Sequence, residues 1–443
     1  MTKYDNSAAD QWDFETRSIH AGQNPDPGTG SRNQPIHLTT SYVFNSAEHA
    51  KQRFALEDLG PVYSRLTNPT VEVLENRLAS LEGGVHAVAF ASGQAAETAA
   101  ILNVAGAGDH IVTSPHLYGG TETLFLVTLK RLGIEVSFVE DPSDPESWQA
   151  AVQPNTRAFY GETFGNPAAD ILDIPAVAEV AHRNGVPLIV DNTIATAALV
   201  RPLELGADVV VASLTKFYTG NGSALGGILV DGGKFDWTVE RDGKPVHEQF
   251  VTPDPAYHGL KYADLGAAAF GLKARVGLLR DTGASISPFN AWVTLQGLDT
   301  LSLRIERHNE NAAQVVEFLR NHPKVAKVNY AGAEDSPYRA VKEKLGLTHT
   351  GSVLTFELAP ADSEEQDRAN AWALIDALQL HSNLANVGDV RSLVVHPATT
   401  THSQSDAEGL ARAQVTQRTI RLSVGIEKIT DIIADLDNAL NAV

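Results

Sequence analysis

The chain predicts an α/β fold: a mostly parallel sheet in a large domain, then a smaller C-terminal α/β domain. Three observations carry this. Short apolar runs alternate with longer stretches of helical spacing between residues 71 and 280. The runs are apolar on successive residues, as strands covered on both faces are. Polar residues suited to hold a ligand fall at the ends of those runs, where such sheets bind ligands.

Taken in order, residues 1–70 are polar and turn-rich. GQNPDPGTGSRNQP leaves little regular structure, and this arm is expected to pack on another subunit. The opening MTKYDNSAADQWDFETR has neither a basic region nor an apolar core, so no signal peptide is expected. Residues 71–280 form the large domain. Its strands are expected at HAVAFAS, HIVTS, EVSFVE, RAFYGET, PLIVDN, DVVVASL and GGILVD. Residues 281–443 form the C-terminal domain. A helix is expected over 298–321, with Leu301, Ile305, Ala312, Val316 and Leu319 at helical spacing. It leads to strands VLTFEL, SLVVH and TIRLSV.

Composition bounds the function classes. A chain of 443 residues buries a large core and holds two sub-domains. Acidic residues outnumber basic ones, 54 to 34, and the net charge of -20 opposes binding to nucleic acid or an anionic membrane. No apolar run is long enough to span a bilayer. With no cysteine there is neither a disulfide framework nor thiol chemistry, and a cytoplasmic enzyme is the plain expectation.

The most informative stretch is VVVASLTKFYTGNGS, residues 209–223. In extended chain Ser213 and Thr215 point to one side, and Lys216 follows before a glycine-rich turn. Hydroxyls hold phosphate oxygens, and a desolvated, neutral lysine forms a Schiff base with an aldehyde. Together they suit pyridoxal phosphate. A lysine at a strand end is ordinarily a solvated edge residue, but further elements fit the ligand reading. Asp191 ends the strand of PLIVDNTIAT, where a carboxylate can pair with a protonated pyridine nitrogen; it equally suits a helix N-cap. In VHAVAFASGQAAETAAILNV, the residues Ser92, Gly93 and Gln94 sit at a strand–helix turn, and a helix N-terminus favours an anion. Neither G-x-x-x-x-G-K-[ST] nor a strand followed by G-x-G-x-x-G is present, so nucleotide readings have little support.

These pieces occur in order with VYSRLTNPTVEVLENRLASLEGG, HLYGGTETLF, ETFGNP, LRIERHNENA, VRSLVVHPATTTH and IRLSVGIE. Over nearly the whole chain they resemble the cystathionine γ-synthase-like family of pyridoxal-phosphate enzymes of cysteine and methionine metabolism. The resemblance implies a fold-type I pyridoxal-phosphate-dependent transferase with pyridoxal 5′-phosphate as cofactor. It implies that Lys216 bonds the cofactor and moves protons, with Tyr118 and Tyr63 as further catalytic residues. Asp191 would pair with the ring nitrogen, Thr193 support the ring, Tyr118 stack on its face and Asn166 touch its hydroxyl oxygen. Ser92, Gly93, Gln94, Ser213 and Thr215 would hold the phosphate, and Tyr63 and Arg65 would reach the phosphate in the neighbouring subunit. Arg421 would clamp the substrate carboxylate through its fork, with Ser392 near that carboxylate and Glu162 lining the same pocket. From the residues alone, Tyr118 equally suits a core tyrosine and Arg421 a strand-edge ion pair. His396 and His402 have no cysteine or carboxylate cluster beside them, and no metal is expected.

The opening FETRSIHAGQ and the long segment DGGKFDWTVERDGKPVHEQFVTPDPAYHGLKYADLG resemble one branch of the family. Its members replace the acetate of O-acetyl-L-homoserine by sulfide, or by methanethiol, giving L-homocysteine or L-methionine. The alternatives are a methionine or cystathionine γ-lyase, a γ-synthase, or a non-catalytic cofactor-binding protein; possession of both Lys216 and Arg421 argues against the last. The implied partners are O-acetylhomoserine, sulfide or a small thiol, and copies of the chain itself. A homotetramer built from catalytic dimers is expected, with no nucleic acid and no membrane. The thiol, the strictness for acetyl over succinyl esters and any feedback regulation stay open.

Overall fold

The computed structural model describes residues 9–443 apart from 56 and 59, so the first eight residues of the expected arm lie outside the described residues. All seven expected strands form and join one sheet. They are β1 (His86–Phe90), β2 (His110–Thr113), β3 (Glu135–Phe138), β4 (Thr156–Glu162), β5 (Leu188–Asp191), β6 (Val209–Ser213) and β7 (Gly227–Asp231). The spatial order is β1-β7-β6-β5-β4-β2-β3. Parallel pairs join β6 to β5, β5 to β4, β4 to β2 and β2 to β3; β7 is antiparallel to both neighbours. The physical reason is the connection. A loop carrying Lys216, with no crossover helix, links β6 to β7, and only an antiparallel neighbour can be reached that way.

Both faces of the sheet are covered. Phe159, Val190, Val210 and Ile228 belong to one apolar cluster, while Tyr160, Ile189, Val211 and Leu229 belong to another. Successive residues of one strand thus serve opposite clusters, which explains the unbroken apolar runs. The long segment after β7 forms the hairpin of β8 (Glu240–Arg241) and β9 (Lys244–Pro245), then short helical turns. Trp237, Phe250 and Phe270 stack beneath it. Arg241 donates to the carbonyls of Pro154 (2.7 Å) and Asn184. Those carbonyls precede β4 and β5, so the segment covers the starts of the strands.

The second sheet comprises β10 (Val325–Asn329), β11 (Val353–Leu358), β12 (Ser382–Asn383), β13 (Leu393–Val395) and β14 (Thr419–Ser423), in the order β10-β11-β14-β13-β12. Helices Leu301–Arg320, Glu364–Ala377 and Ile429–Asn441 close a third apolar cluster over it. The three expected strands form, SLVVH being trimmed to Leu393–Val395, and the edge strands β10 and β12 are additional. The helix expected over 298–321 forms as Leu301–Arg320, and a separate helix, Pro288–Leu298, ends just before it. Between them Thr300 leaves the helical region (φ -122°, ψ 16°). Arg304 Nη2 donates to Gly297 O (2.8 Å), which also accepts from the N–H of Thr300 (3.3 Å), so the guanidinium ties the two helix ends together.

The described part of residues 1–70 includes the α-helices Phe14–His20 and Ala47–Phe54. The first part of this arm packs on its own chain. Helix Pro69–Glu82 carries Arg77, which is 1% exposed. Its guanidinium donates to Ala21 O (3.0 Å), Gln23 Oε1 (2.9 Å) and Asp299 Oδ1 (3.0 Å). Gly22, at φ +73°, allows the approach, because a Cβ there would lie 2.7 Å from Asn76 Cβ. Removing a buried, charged donor of three bonds should free this stretch. Arg77→Ala is expected to speed tryptic cleavage after Arg17 and Arg32 by about tenfold or more, read by limited proteolysis and mass spectrometry. An unchanged cleavage rate would mean that the arm is held by other contacts.

Candidate active site

Strand pleating gathers the site. Tyr160 and Glu162, Ile189 and Asp191, and Val211 and Ser213 are pairs two residues apart on β4, β5 and β6. Tyr160, Ile189 and Val211 enter the same apolar cluster, so Glu162, Asp191 and Ser213 emerge on that face at the strand ends. The register sets Glu162 directly opposite Asp191 and Ser213 opposite Gly227. Helix Gly93–Val104 lies on this face. Its N-cap Ser92 accepts from the N–H of Ala95 (3.2 Å). Gly93 is required there, because a Cβ would stand 2.7 Å from the Cβ of Ser213. The helix start, with its open N–H groups, is thereby brought against the end of β6.

A cavity of about 220 Å³ opens at this point. Ser92, Gly93, Gln94, Tyr118, Glu162, Asn166, Asp191, Thr193, Ser213, Thr215, Lys216 and Arg421 all line it. Thr193 N–H donates to Asp191 Oδ1 (2.7 Å), and Thr193 Oγ1 accepts from the N–H of Ser213 (2.8 Å). Thr215 Oγ1 bonds the backbone of Gly226 (3.2 and 3.3 Å), closing the loop that carries the lysine. Lys216 Nζ donates to Asn386 Oδ1. Behind the loop, Arg304 Nη1 donates to Phe217 O (2.7 Å) and its Nη2 to Tyr218 O (3.2 Å). The Tyr218 hydroxyl donates to the buried carboxylate of Glu82, which also accepts from Asn192 Nδ2 (3.1 Å).

Three expected residues stand elsewhere. Tyr63 and Arg65 are not on this chain's cavity wall. The Arg65 guanidinium lies 5.4 Å from the centre of the Tyr63 ring and donates to the carbonyl of Arg280. Ser392, expected near the substrate carboxylate, is fully buried within the C-terminal domain. Its hydroxyl donates to Glu427 Oε2 (3.0 Å) and accepts from the N–H of Gly425 (3.0 Å). With donor and acceptor both engaged, it ties the start of β13 to the chain after β14 and has nothing left for a ligand. Asn386 occupies the cavity wall beside Lys216 and Arg421 instead. His396 engages both ring nitrogens, with Thr399 Oγ1 (2.8 Å) and Gln417 O (3.0 Å).

Sequence reasoning missed Asn386 and Glu97, which also lines the cavity. Asn386 lies in an irregular stretch whose pattern carries no signal. Glu97 did carry one, as the only charged residue of helix Gly93–Val104.

Burial dominates the electrostatics. It lowers the Lys216 pKa to about 8, with the nearby Arg421 charge adding to the effect. Burial lowers Arg421 to about 10, which leaves it cationic at neutral pH. Its guanidinium reaches only Asn166 Oδ1 and Asn386 O, both at 3.3 Å, and no carboxylate among the described residues pairs with it. Asp191 is pushed up to about 6 by burial and is ionised at neutral pH. Glu162 is raised well above the usual carboxylate range by burial and then by Asp191 opposite, so it keeps its proton.

These groups fit pyridoxal 5′-phosphate. The helix start and the hydroxyls of Ser213 and Thr215 suit its phosphate, and a lysine with a depressed pKa suits its aldehyde. A buried carboxylate suits its ring nitrogen. Glu97 Oε1, buried without a partner, marks polar capacity that the chain itself does not use.

Comparison with known proteins agrees. The family profile described as Cys/Met metabolism PLP-dependent enzyme matches residues 15–441. The chain is 78% identical over 443 residues to an O-acetyl-L-homoserine sulfhydrylase of Corynebacterium glutamicum, covering 100% of both. It is 49% identical over 439 residues to an O-acetyl-L-homoserine sulfhydrylase of Leptospira meyeri, covering 97% of each. A crystal structure of a Campylobacter jejuni chain assigned as an O-acetylhomoserine (thiol)-lyase superposes with a TM-score of 0.92 at 40% identity, covering 97% of this chain and 100% of that one. That structure contains an N′-pyridoxyl-lysine-5′-monophosphate.

The Lys216 amine of the cofactor-free protein should titrate near the value of about 8 rather than at the ordinary 10.5. Arg421→Gln should move it upward, because a neighbouring positive charge that disfavours the ammonium is removed. Labelling of Lys216 against pH, quantified by peptide mass, reads both. Titration at the ordinary value would contradict a buried amine.

Proposed function

The chain belongs to the Cys/Met metabolism PLP-dependent enzyme family, and on that premise we propose that it converts O-acetyl-L-homoserine and sulfide to L-homocysteine and acetate. The observation that carries this reading is a buried, unpaired guanidinium, Arg421, sharing one cavity and one asparagine with the amine of Lys216. A buried cation without a counter-charge is costly, and an α-amino acid supplies the carboxylate it lacks.

When bound, pyridoxal phosphate supplies an electron sink for negative charge that develops on the substrate carbons. Asp191 would hold the ring nitrogen protonated, and Tyr118, on the cavity wall, would cover the ring face. Arg421 holds the substrate carboxylate, with Asn166 and Asn386 fixing the fork. Lys216 Nζ takes the proton from Cα. With a pKa of about 8 in place of 10.5, the neutral amine is about 300-fold more abundant near neutrality than for an ordinary lysine. Once a Cβ proton has also been removed, the C–O bond at Cγ breaks and acetate leaves. Hydrosulfide then forms the new C–S bond at Cγ, a proton returns to Cβ, and Lys216 returns the proton to Cα. Methanethiol in place of sulfide would give L-methionine.

The reaction is tested by incubating the holoenzyme with O-acetyl- and O-succinyl-homoserine, each against sulfide, methanethiol and cysteine, and identifying products. Homocysteine and acetate from the acetyl ester are expected, and Lys216→Ala should abolish them. Arg421→Ala should raise the KM for O-acetylhomoserine by at least about 30-fold and that for sulfide much less, since truncation removes a carboxylate partner. Release of methanethiol from methionine, without γ-replacement, would favour a γ-lyase.

The same reading places the enzyme in the cytoplasm as a homotetramer of catalytic dimers, with residues 1–70 as an arm on the neighbouring subunit, 71–280 as the cofactor domain and 281–443 as the C-terminal domain. Exposed apolar side chains of the arm support the subunit contact: Leu38, Phe54 and Val43, the last 96% exposed, stay largely uncovered among the described residues. Tyr63 and Arg65 would then complete the phosphate site across the dimer. A mixed dimer decides this. Lys216→Ala chains combined with chains carrying Tyr63→Phe and Arg65→Ala should regain activity, because one site collects every lesion and the other none. No recovery in a mixed dimer verified by mass would show that the contact lies within one chain.

A further inference from the structure

Glu97 has no role in the mechanism above, yet it lies on the wall of the same cavity as Lys216 and Asp191. It sits one turn into helix Gly93–Val104 and is 2% exposed. Its two oxygens are treated differently. Oε2 receives the hydroxyl of Thr121 at 3.0 Å and that of Tyr160 at 3.4 Å. Oε1 is buried and has no hydrogen-bond partner among the described residues.

The groups that face Glu97 fix its charge state. Tyr160 comes from β4 and Thr121 from the turn after Tyr118, and Asp191 stands at the end of β5. Glu162 stands beside Asp191. The cations of the cavity, Lys216 and Arg421, are not paired with Glu97. Burial and then the Asp191 charge push its pKa well above the usual carboxylate range. A buried acid without a cation, next to an ionised neighbour, stays neutral. With two hydroxyls directed at Oε2, the proton is left to Oε1. An O–H in this position is a donor without an acceptor in the chain, which is costly unless a ligand provides one.

We propose that Glu97 is a protonated acid whose Oε1–H donates a hydrogen bond to the bound pyridoxal phosphate, making it a neutral positioning group of the cofactor site. This rests on the functional reading above. It adds a contact that neither the helix start nor the strand-end hydroxyls provide.

Wild type, Glu97→Gln and Glu97→Leu are compared by infrared difference spectroscopy and by cofactor dissociation constant. In wild type, a carbonyl stretch of a neutral carboxylic acid should shift to lower frequency when pyridoxal phosphate is added. That band should be missing from both variants. Glutamine, which keeps a neutral donor, should hold the cofactor within about threefold of wild type, and leucine should weaken it by about tenfold or more. A neutral-acid band that does not respond to the cofactor, or a leucine variant that binds as tightly as wild type, overturns the inference while the functional reading stands. The infrared result on wild type and the glutamine variant decides the matter even if the leucine variant does not fold. A wild-type protein that takes up no cofactor overturns the functional reading, and the donor role with it.

Discussion

Two carboxylates placed directly opposite each other, Glu162 and Asp191, are the constraint around which the rest of the site is arranged. Like charges across a strand pair repel, and here Glu162 is buried and Asp191 largely desolvated at its side. The structure resolves the conflict by protonation: Glu162 keeps its proton while Asp191 carries the charge. Across the cavity the same burial acts in the opposite sense on Lys216 and Arg421, favouring the neutral amine and leaving the guanidinium unpaired. Each side is under-satisfied in its own way. A ligand with a basic ring nitrogen on one side and a carboxylate on the other relieves both. The free energy stored in incomplete pairing thus becomes binding free energy for the cofactor and substrate.

That arrangement depends on holding an irregular loop still. The chain from β6 to β7 carries Lys216 and has no regular structure to set its path. Three contacts set it instead. Arg304 takes the carbonyls of Phe217 and Tyr218, Glu82 takes the Tyr218 hydroxyl, and Asn386 accepts from the amine. Gly220, at φ +78°, is needed because a Cβ there would stand 2.1 Å from Arg304 Nη1. The contacts come from two parts of the chain: the C-terminal domain, through Arg304 and Asn386, and the helix before β1, through Glu82. The amine is therefore buried and oriented only when all of them are packed together.

The long segment after β7, which distinguishes one branch of the family in sequence, lies at the starts of the strands. Arg241 and the stacked rings of Trp237, Phe250 and Phe270 anchor it there. The ligand cavity is at the other end, and its wall is built from residues outside this segment. Whatever the segment contributes to the choice of reaction, it does not act by contact with the substrate in its own chain's cavity. The C-terminal domain contributes Arg421 and Asn386 to that wall.

Sequence alone determined the seven strands, the strand-end placement of Asp191, Ser213 and Lys216, and the helix start at Ser92 and Gly93. These are local: side chains alternate along a strand, and a glycine at a strand–helix turn leaves amides open to an anion. Arg421 was legible only through the family resemblance, since its strand position by itself equally suits an ion pair. Only the tertiary structure decided the rest. Asn386 reaches the cavity because one domain packs on another, and no periodic pattern in its own loop foretells that. Ser392 follows Asn386 along the same irregular stretch, yet the approach of Gly425 and Glu427 turns its hydroxyl into the domain. The helix expected over 298–321 begins only at Leu301, after Thr300 leaves the helical region, while a separate helix ends at Leu298. Glu97 was visible as a lone charge on an alanine-rich helix. That it faces two other carboxylic acids follows from the sheet register, because charge state depends on neighbours distant in sequence.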